Sequence, residues 1–272
     1  MTVTESTTTS TTPPALVEVR GHTMLITLNR PEARNAVNAD MCIRVGDALE
    51  EAEADPNVRV VVLTGAGDKA FCAGADLKAL ARGESVIPAG REAWGLAGYV
   101  GHAISKPTIA AVNGPALGGG TELVLASDLA VAADTATFGL PEVKRGLIAG
   151  AGGAFRLPAK LPATVAMELL LTGEPVTARQ ALEFHLVNRV VPAERVLDTA
   201  LALAERIGSN APLAVQAHKR IALAQRANGD RPDEQAGWSM TSDELPRIAT
   251  SEDAKEGPRA FAEKRAPVWK GQ

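Results

Sequence analysis

Thr108-Ile-Ala-Ala-Val-Asn113-Gly-Pro-Ala-Leu-Gly118-Gly-Gly-Thr-Glu122-Leu-Val-Leu-Ala126-Ser-Asp-Leu129-Ala-Val-Ala-Ala133 sets the plan of the chain. Thr108–Asn113 reads as a strand, the glycine-rich stretch after it as a turn, Glu122–Ala126 as a short helix and Leu129–Ala133 as a second, buried strand. Arg59–Thr64 (Arg-Val-Val-Val-Leu-Thr) is a third such strand, because a continuous β-branched run suits a strand covered on both faces. Alternation of strands and helices points to an α/β fold.

Upstream, Leu16–Arg20 and Met24–Asn29 are β-rich runs separated by Gly-His-Thr, which reads as a hairpin that Arg30-Pro31 stops. Asn38 caps a helix predicted over Ala39–Ala54, with Met41, Val45, Leu49 and Ala52 at helical spacing and Gly46 as a weak point. That helix and Arg59–Thr64 complete a βαβ unit. Downstream the chain turns helical: Val165–Leu171, a helix capped by Thr177 with Gln180 three residues on, a short strand Leu186–Val191, then helices Ala193–Ile207, Leu213–Ala227 and Asp233–Ile248. Ser251 caps a last segment that Gly257-Pro258 is expected to break in two. Residues 81–104 are the least regular interior stretch and are expected to form a mobile loop.

The 272 residues are 46% apolar and 22% charged, which excludes disorder and fibre for the body of the chain. Aromatics are only 3% and the formal charge is −4, so there are few stacking platforms and no basic footprint for nucleic acid. Any anionic ligand must be held by local cations and backbone N–H groups. Cys42 and Cys72 form neither a disulfide framework nor a CxxC pair and read as free thiols of a reducing compartment. The first 12 residues hold nine Ser or Thr and no cation precedes Arg20, so residues 1–14 read as a disordered tail and not a secretory signal. No apolar run approaches the ~18 residues that span a bilayer, and a cytoplasmic location is expected.

Several motifs fail. The turn Gly114–Thr121 lacks the Lys of a P-loop, and neither it nor Gly150-Ala-Gly152-Gly153 supplies G-x-G-x-x-G after a strand. His22, His102, His185 and His218 share no H-x-x-x-H spacing, so no metal site is expected. A Ser hydrolase elbow is missing.

Two glutamates remain, Glu122 after three glycines and Thr121, and Glu142 after Gly139-Leu-Pro141, both within largely apolar sequence at element ends. Turn, strand and turn can return such residues to one sheet edge, where two carboxyls face one pocket. Spacing alone leaves a second reading open, with Glu122 favouring a helix N-terminus and Glu142 an exposed turn residue. A second feature is Phe71-Cys-Ala-Gly74-Ala75-Asp76-Leu-Lys78 after the strand Arg59–Thr64. Small residues admit a ligand to the backbone, and free N–H groups there and at Gly118–Gly120 can converge on one carbonyl oxygen as an oxyanion hole.

In order, Asn29-Arg-Pro-Glu-Ala-Arg-Asn35-Ala, Phe71-Cys-Ala-Gly-Ala-Asp76-Leu, Asn113-Gly-Pro-Ala-Leu-Gly-Gly-Gly-Thr-Glu122-Leu, Phe138-Gly-Leu-Pro-Glu142-Val, Gly150-Ala-Gly-Gly and Ser251-Glu-Asp-Ala-Lys-Glu-Gly257 with Ala260-Phe-Ala-Glu-Lys264-Arg resemble the crotonase (enoyl-CoA hydratase/isomerase) superfamily, from about Leu16 to Gly271. The resemblance implies a spiral of ββα units over residues 15–200 and a C-terminal helical trimerisation region over 201–272, with trimers often paired into hexamers. It implies that the N–H groups of Ala75 and Gly119 bind a thioester oxygen. Arg34, Ala36, Ala73, Asp76 and Leu77 would border CoA, and Phe261 and Lys264 would reach the CoA of a neighbouring subunit. Arg30, Lys69 and Lys78 are either further phosphate-facing cations or surface charges.

The resemblance further implies syn addition of water to a trans-2-enoyl-CoA, with Glu122 orienting and deprotonating water and Glu142 protonating C2. CoA is then the substrate's carrier, and no prosthetic group is needed. Isomerases of the superfamily usually replace one or both acids, which favours hydration or its reverse. Enoyl-CoA isomerase, dehydratase of a functionalised acyl-CoA, and a non-catalytic acyl-CoA- or RNA-binding relative are the alternatives. Leu140 stands where many hydratases carry Gln, and 84–101 is expected to shape the acyl pocket.

Overall fold

Two short strands, β1 (Ala15–Arg20) and β2 (Thr23–Leu28), open the computed structural model, which describes residues 12–223 and 232–270. Of the expected disordered tail, residues 1–11 lie outside the described residues. Pro13 and Pro14 are held, because Asn29 donates from Nδ2 to Pro13 O (2.9 Å) and from its backbone to Pro14 O (2.7 Å), extending the hairpin by one step. Helix α1 (Ala39–Ala54) begins where the Asn38 side chain accepts the Met41 N–H at 3.1 Å. Its buried stripe, Met41, Val45, Ala48, Leu49 and Ala52, follows helical spacing, and Lys106 Nζ closes its C-terminus on the carbonyls of Ala52 and Asp55. Gly46, read as a weak point, has a packing reason: a side chain there would collide with the Trp94 ring.

The chain continues through β3 (Val60–Gly65), α2 (Leu77–Ala81), β4 (Thr108–Val112), β5 (Ala116–Leu117), α3 (Gly119–Ala126), β6 (Leu129–Ala133) and β7 (Thr137–Gly139). Then follow α4 (Gly153–Lys160), α5 (Ala163–Thr172), β8 (Val176–Thr177), α6 (Ala178–Glu183), β9 (Arg189–Val191), α7 (Val196–Gly208), α8 (Pro212–Ala222), α9 (Pro232–Ala249) and α10 (Glu252–Ala262). The main sheet has the order β1-β2-β3-β4-β6-β9, antiparallel at β1–β2 and parallel elsewhere; β5, β7 and β8 form a second, small sheet. Every residue of β3 and β4 is buried, as their unbroken apolar runs require. Helix α1 lies on β1 and β2, and α7 on β2, β3, β4 and β6. The boundary drawn at 200/201 falls within α7.

Four sequence expectations are corrected. The helix after the glycines starts at Gly119, three residues before Glu122, because glycine at the N-terminal turn lets the backbone press on Cys72. The expected strand 186–191 is reduced to β9, with Leu186 and Val187 buried ahead of it. Residues 81–104 are irregular but packed, burying Val86, Trp94, Leu96, Tyr99, Val100 and Ile104 in place of hanging free. Gly257-Pro258 does not break the last segment: both lie inside α10, where Gly257 is buried against the Arg145 backbone, a tertiary contact that local proline rules do not include. The predicted helix 213–227 is α8, and its residues 224–227 lie outside the described residues. No helix among the described residues is long and apolar enough to cross a membrane.

Candidate active site

Two tight turns meet at the centre. The first follows β3 and is organised by Asn35, which is fully buried at φ 56°. Its Oδ1 accepts Arg30 N (3.0 Å), and its Nδ2 donates to Ala66 O (3.0 Å) and Ala70 O (2.9 Å). The motif around Asn35 gives this residue no role by itself; the local signal for one is an amide beside Ala36 in a stretch that must turn sharply. Val37 pairs with this turn in parallel, donating to Gly74 O (2.8 Å) and accepting Asp76 N (2.8 Å). That alternation turns the Ala75 N–H away from Val37.

The second turn links β5 to α3. Gly118, at φ 56°, donates to Gly139 O (2.8 Å), and the Thr121 hydroxyl, 2.7 Å from Ala116 O, accepts Gly139 N (3.0 Å), tying β7 to the helix start. Gly119 is the first residue of α3, so its N–H has no partner inside the helix. The turns touch: a Cβ at Gly74 would stand 2.9 Å from Gly119 N, and one at Gly119 would stand 3.6 Å from Ala75 N and strike Leu96. Glycine is required at both positions, and the backbone nitrogens of Ala75 and Gly119 come close together where the two turns meet.

Glu122 sits one helical turn beyond Gly119 and is 3% exposed. Its Oε1 accepts Gly153 N at 2.8 Å. Burial, and then the charge of Glu142, push its pKa up to about 8, while the N–H groups of Gly153 and Ala151 and the Arg156 guanidinium oppose the rise. Glu142 lies on a 3-10 turn, Pro141–Arg145, whose carboxyl reaches back to Gly118; a Cβ there would stand 3.0 Å from Glu142 Oε1. Its Oε2 is buried without a hydrogen-bond partner among the described residues. Burial raises this pKa as well, opposed by its own backbone N–H and by Arg145. The two acids thus share one electrostatic environment, walled by buried Leu140, and neither is a solvated turn residue.

The remaining expected residues form two groups. Arg34, Ala36, Ala73, Asp76 and Leu77 are contiguous. Ala73 N donates to Arg34 O (3.0 Å), and Arg30 bridges Ala36 O (2.6 Å) to Asp76 (3.0 Å). Asp76 also caps α2 through Lys78 N and Ala79 N, ahead of Leu77. Arg30 is therefore a partly buried structural cation, while Lys78 is exposed. Phe261 and Lys264 are not in this group: Phe261 lies on α10 with the Arg145 guanidinium 4.1 Å over its ring, and Lys264 follows that helix.

Fold and pocket together define the crotonase superfamily. The chain belongs to its enoyl-CoA hydratase/isomerase family, whose family model matches residues 18–272. Among relatives, carnitinyl-CoA dehydratase of Proteus mirabilis is 44% identical over 260 residues, covering 93% of this chain and 97% of that protein. The crystal structure of carnitinyl-CoA hydratase from Mycobacterium avium superposes with a TM-score of 0.94 at 61% identity, covering 96% of this chain and 100% of the other. Enoyl-CoA hydratase from Mycobacterium tuberculosis H37Rv superposes with a TM-score of 0.74 at 48% identity, again over 96% and 100%.

Proposed function

We propose that this chain is a hydro-lyase that adds water across C2–C3 of a trans-2-enoyl-CoA, or removes it from the 3-hydroxyacyl-CoA. The observation that carries this reading is the buried Glu122, electrostatically coupled to Glu142, beside the paired N–H groups of Ala75 and Gly119. Those N–H groups bind the thioester oxygen and stabilise the enolate by several kcal/mol, about 3 for each well-placed donor. In hydration Glu122 takes the proton of a water whose oxygen attacks C3, the π electrons move onto the thioester oxygen, and Glu142 protonates C2 as they return. In elimination Glu142 removes the C2 proton and Glu122 gives its proton to the departing 3-hydroxyl.

Glu122, pushed up to about 8 by burial and by the charge of Glu142, holds a proton at neutral pH, the form that donates to a departing 3-hydroxyl. Elimination starts from protonated Glu122 with ionised Glu142, and hydration from the reverse arrangement. The names of the carnitinyl-CoA relatives favour a dehydratase of a functionalised 3-hydroxyacyl-CoA. Arg34, Ala36, Ala73, Asp76 and Leu77 border the CoA in this proposal, and Phe261 and Lys264 reach that of a neighbouring subunit in a trimer.

The test is the ultraviolet absorbance of the conjugated thioester. It is followed with trans-2-enoyl-CoAs of short, medium, long and bulky chains, and in reverse with 3-hydroxyacyl-CoAs including carnitinyl-CoA. Absorbance that stays unchanged across the whole panel overturns the proposal.

A further inference from the structure

Glu142 stands on five residues of 3-10 helix, a geometry with poor hydrogen bonds that does not fix a side chain by itself. On one side the turn meets Gly118. On the other it is gripped by α10, more than a hundred residues away in sequence. Gly146, which ends the turn at φ 63°, faces the Asp253 carbonyl, and Gly257 in α10 faces the Arg145 carbonyl; a Cβ at either would collide with that carbonyl. The two glycines form a reciprocal backbone lock, closed on its outer side by the Arg145 guanidinium over the Phe261 ring at 4.1 Å.

Helix α10 is itself anchored. Ser251 caps it by accepting Ala254 N at 3.0 Å, and the nearly buried Glu256 gathers Arg259, Arg265 and Val268 N (2.9 Å). The contact is made by the residue immediately before Pro258, inside the continuous helix.

We infer that α10 is the positioning element of Glu142, with Gly257 and Arg145 as positioning residues that fix where the carboxyl stands relative to Glu122 and the N–H pair. The inference rests on the acid–base role proposed above for Glu142. The charged groups of the turn and its neighbours are Glu122 from α3, Arg145 and Lys144 within the turn, Lys144 paired with Glu174 at 2.5 Å, and, on the packed helix α10, Asp253, whose backbone carbonyl meets Gly146, and Glu256, whose carboxylate is held by Arg259 and Arg265. Of these, Arg145 favours the ionised carboxyl.

Gly257→Ala forces the turn and helix apart by a fraction of an ångström or more. It is expected to lower kcat roughly 10- to 100-fold, because misplacement of a reacting group by about 1 Å has that scale of effect, with KM for the thioester within about twofold. Arg145→Gln removes the charge and is expected to move the acidic limb of the kcat/KM profile for elimination, where Glu142 must be ionised, up by roughly 0.5 to 1 pH unit, while Arg145→Lys restores it. Wild-type kcat in Gly257→Ala together with superimposable pH profiles for all three forms overturns the inference. If Gly257→Ala does not fold, the Arg145 pair decides alone. A ¹³C-carboxyl titration of Glu142 in the full chain, with its signal identified by its loss in Glu142→Gln, reads the same shift without turnover. An inactive wild type therefore refutes the proposed reaction but still leaves the positioning role decided by that titration.

Discussion

Glu122→Gln makes the cost of the acid pair measurable as stability. The carboxyl moves from 4.5 in the unfolded chain to about 8 in the folded one, so between those values the folded protein retains a proton that the unfolded chain has released. Stability attributable to this group is highest below pH 4.5, falls as pH rises and levels off above about 8. Each pH unit inside the window removes about 1.4 kcal/mol, which amounts to about 3 kcal/mol by pH 7 and about 5 by pH 9. Glutamine is neutral throughout, and its amide oxygen can still accept the Gly153 N–H. The variant should match wild type near pH 4.5 and exceed it by about 3 kcal/mol at pH 7, roughly 5–10 °C in melting temperature, while turnover falls roughly 10²- to 10⁴-fold. Denaturant and thermal unfolding of both proteins at pH 5, 7 and 9 measures the gap. Parallel stability curves across that range, or a variant less stable than wild type at pH 9, would refute the reasoning.

Other consequences are as concrete. Glu142→Gln should lower turnover roughly 10²- to 10⁴-fold with acyl-CoA affinity little changed, and a wild-type rate would show that this acid is misassigned. Gly74→Ala, at φ 88° and with its new methyl 2.9 Å from Gly119 N, should separate the two N–H groups and reduce kcat roughly 10²- to 10³-fold; steady-state kinetics with unchanged kcat would dissociate them from catalysis. Asn35→Ala deletes bonds to Arg30, Ala66 and Ala70 and should cost about 2–4 kcal/mol in denaturant unfolding, with a loss below about 1 kcal/mol counting against its organising role. Light scattering should report a three-chain mass. A stable monomer would contradict the assembly assigned to the C-terminal helices.

Local chemistry determined a good deal without coordinates. Unbroken apolar runs specified β3, β4 and β6 because covered strands need no polar face, and Asn38 and Thr177 marked helix starts because their side-chain oxygens satisfy free N–H groups. Glycines at 74 and 118–120 marked where backbone comes close to backbone. The ordered motifs then identified the family and nominated Glu122, Glu142, Ala75 and Gly119.

Only the tertiary structure decided what those residues have in common. The sequence left Glu122 open as a helix-start residue and Glu142 as an exposed turn residue. Burial raises both pKa values, and the charge of Glu142 adds to the rise at Glu122; both are long-range properties of the folded chain. Proline rules predicted a break at Pro258, yet α10 runs through it, with Gly257 against the Arg145 carbonyl, a partner no local rule can see. The roles of Asn35 and of residues 81–104 were hidden for the same reason. Short-range propensity fixes which elements form, whereas the field and the fit at the site arise from groups brought together across the whole chain.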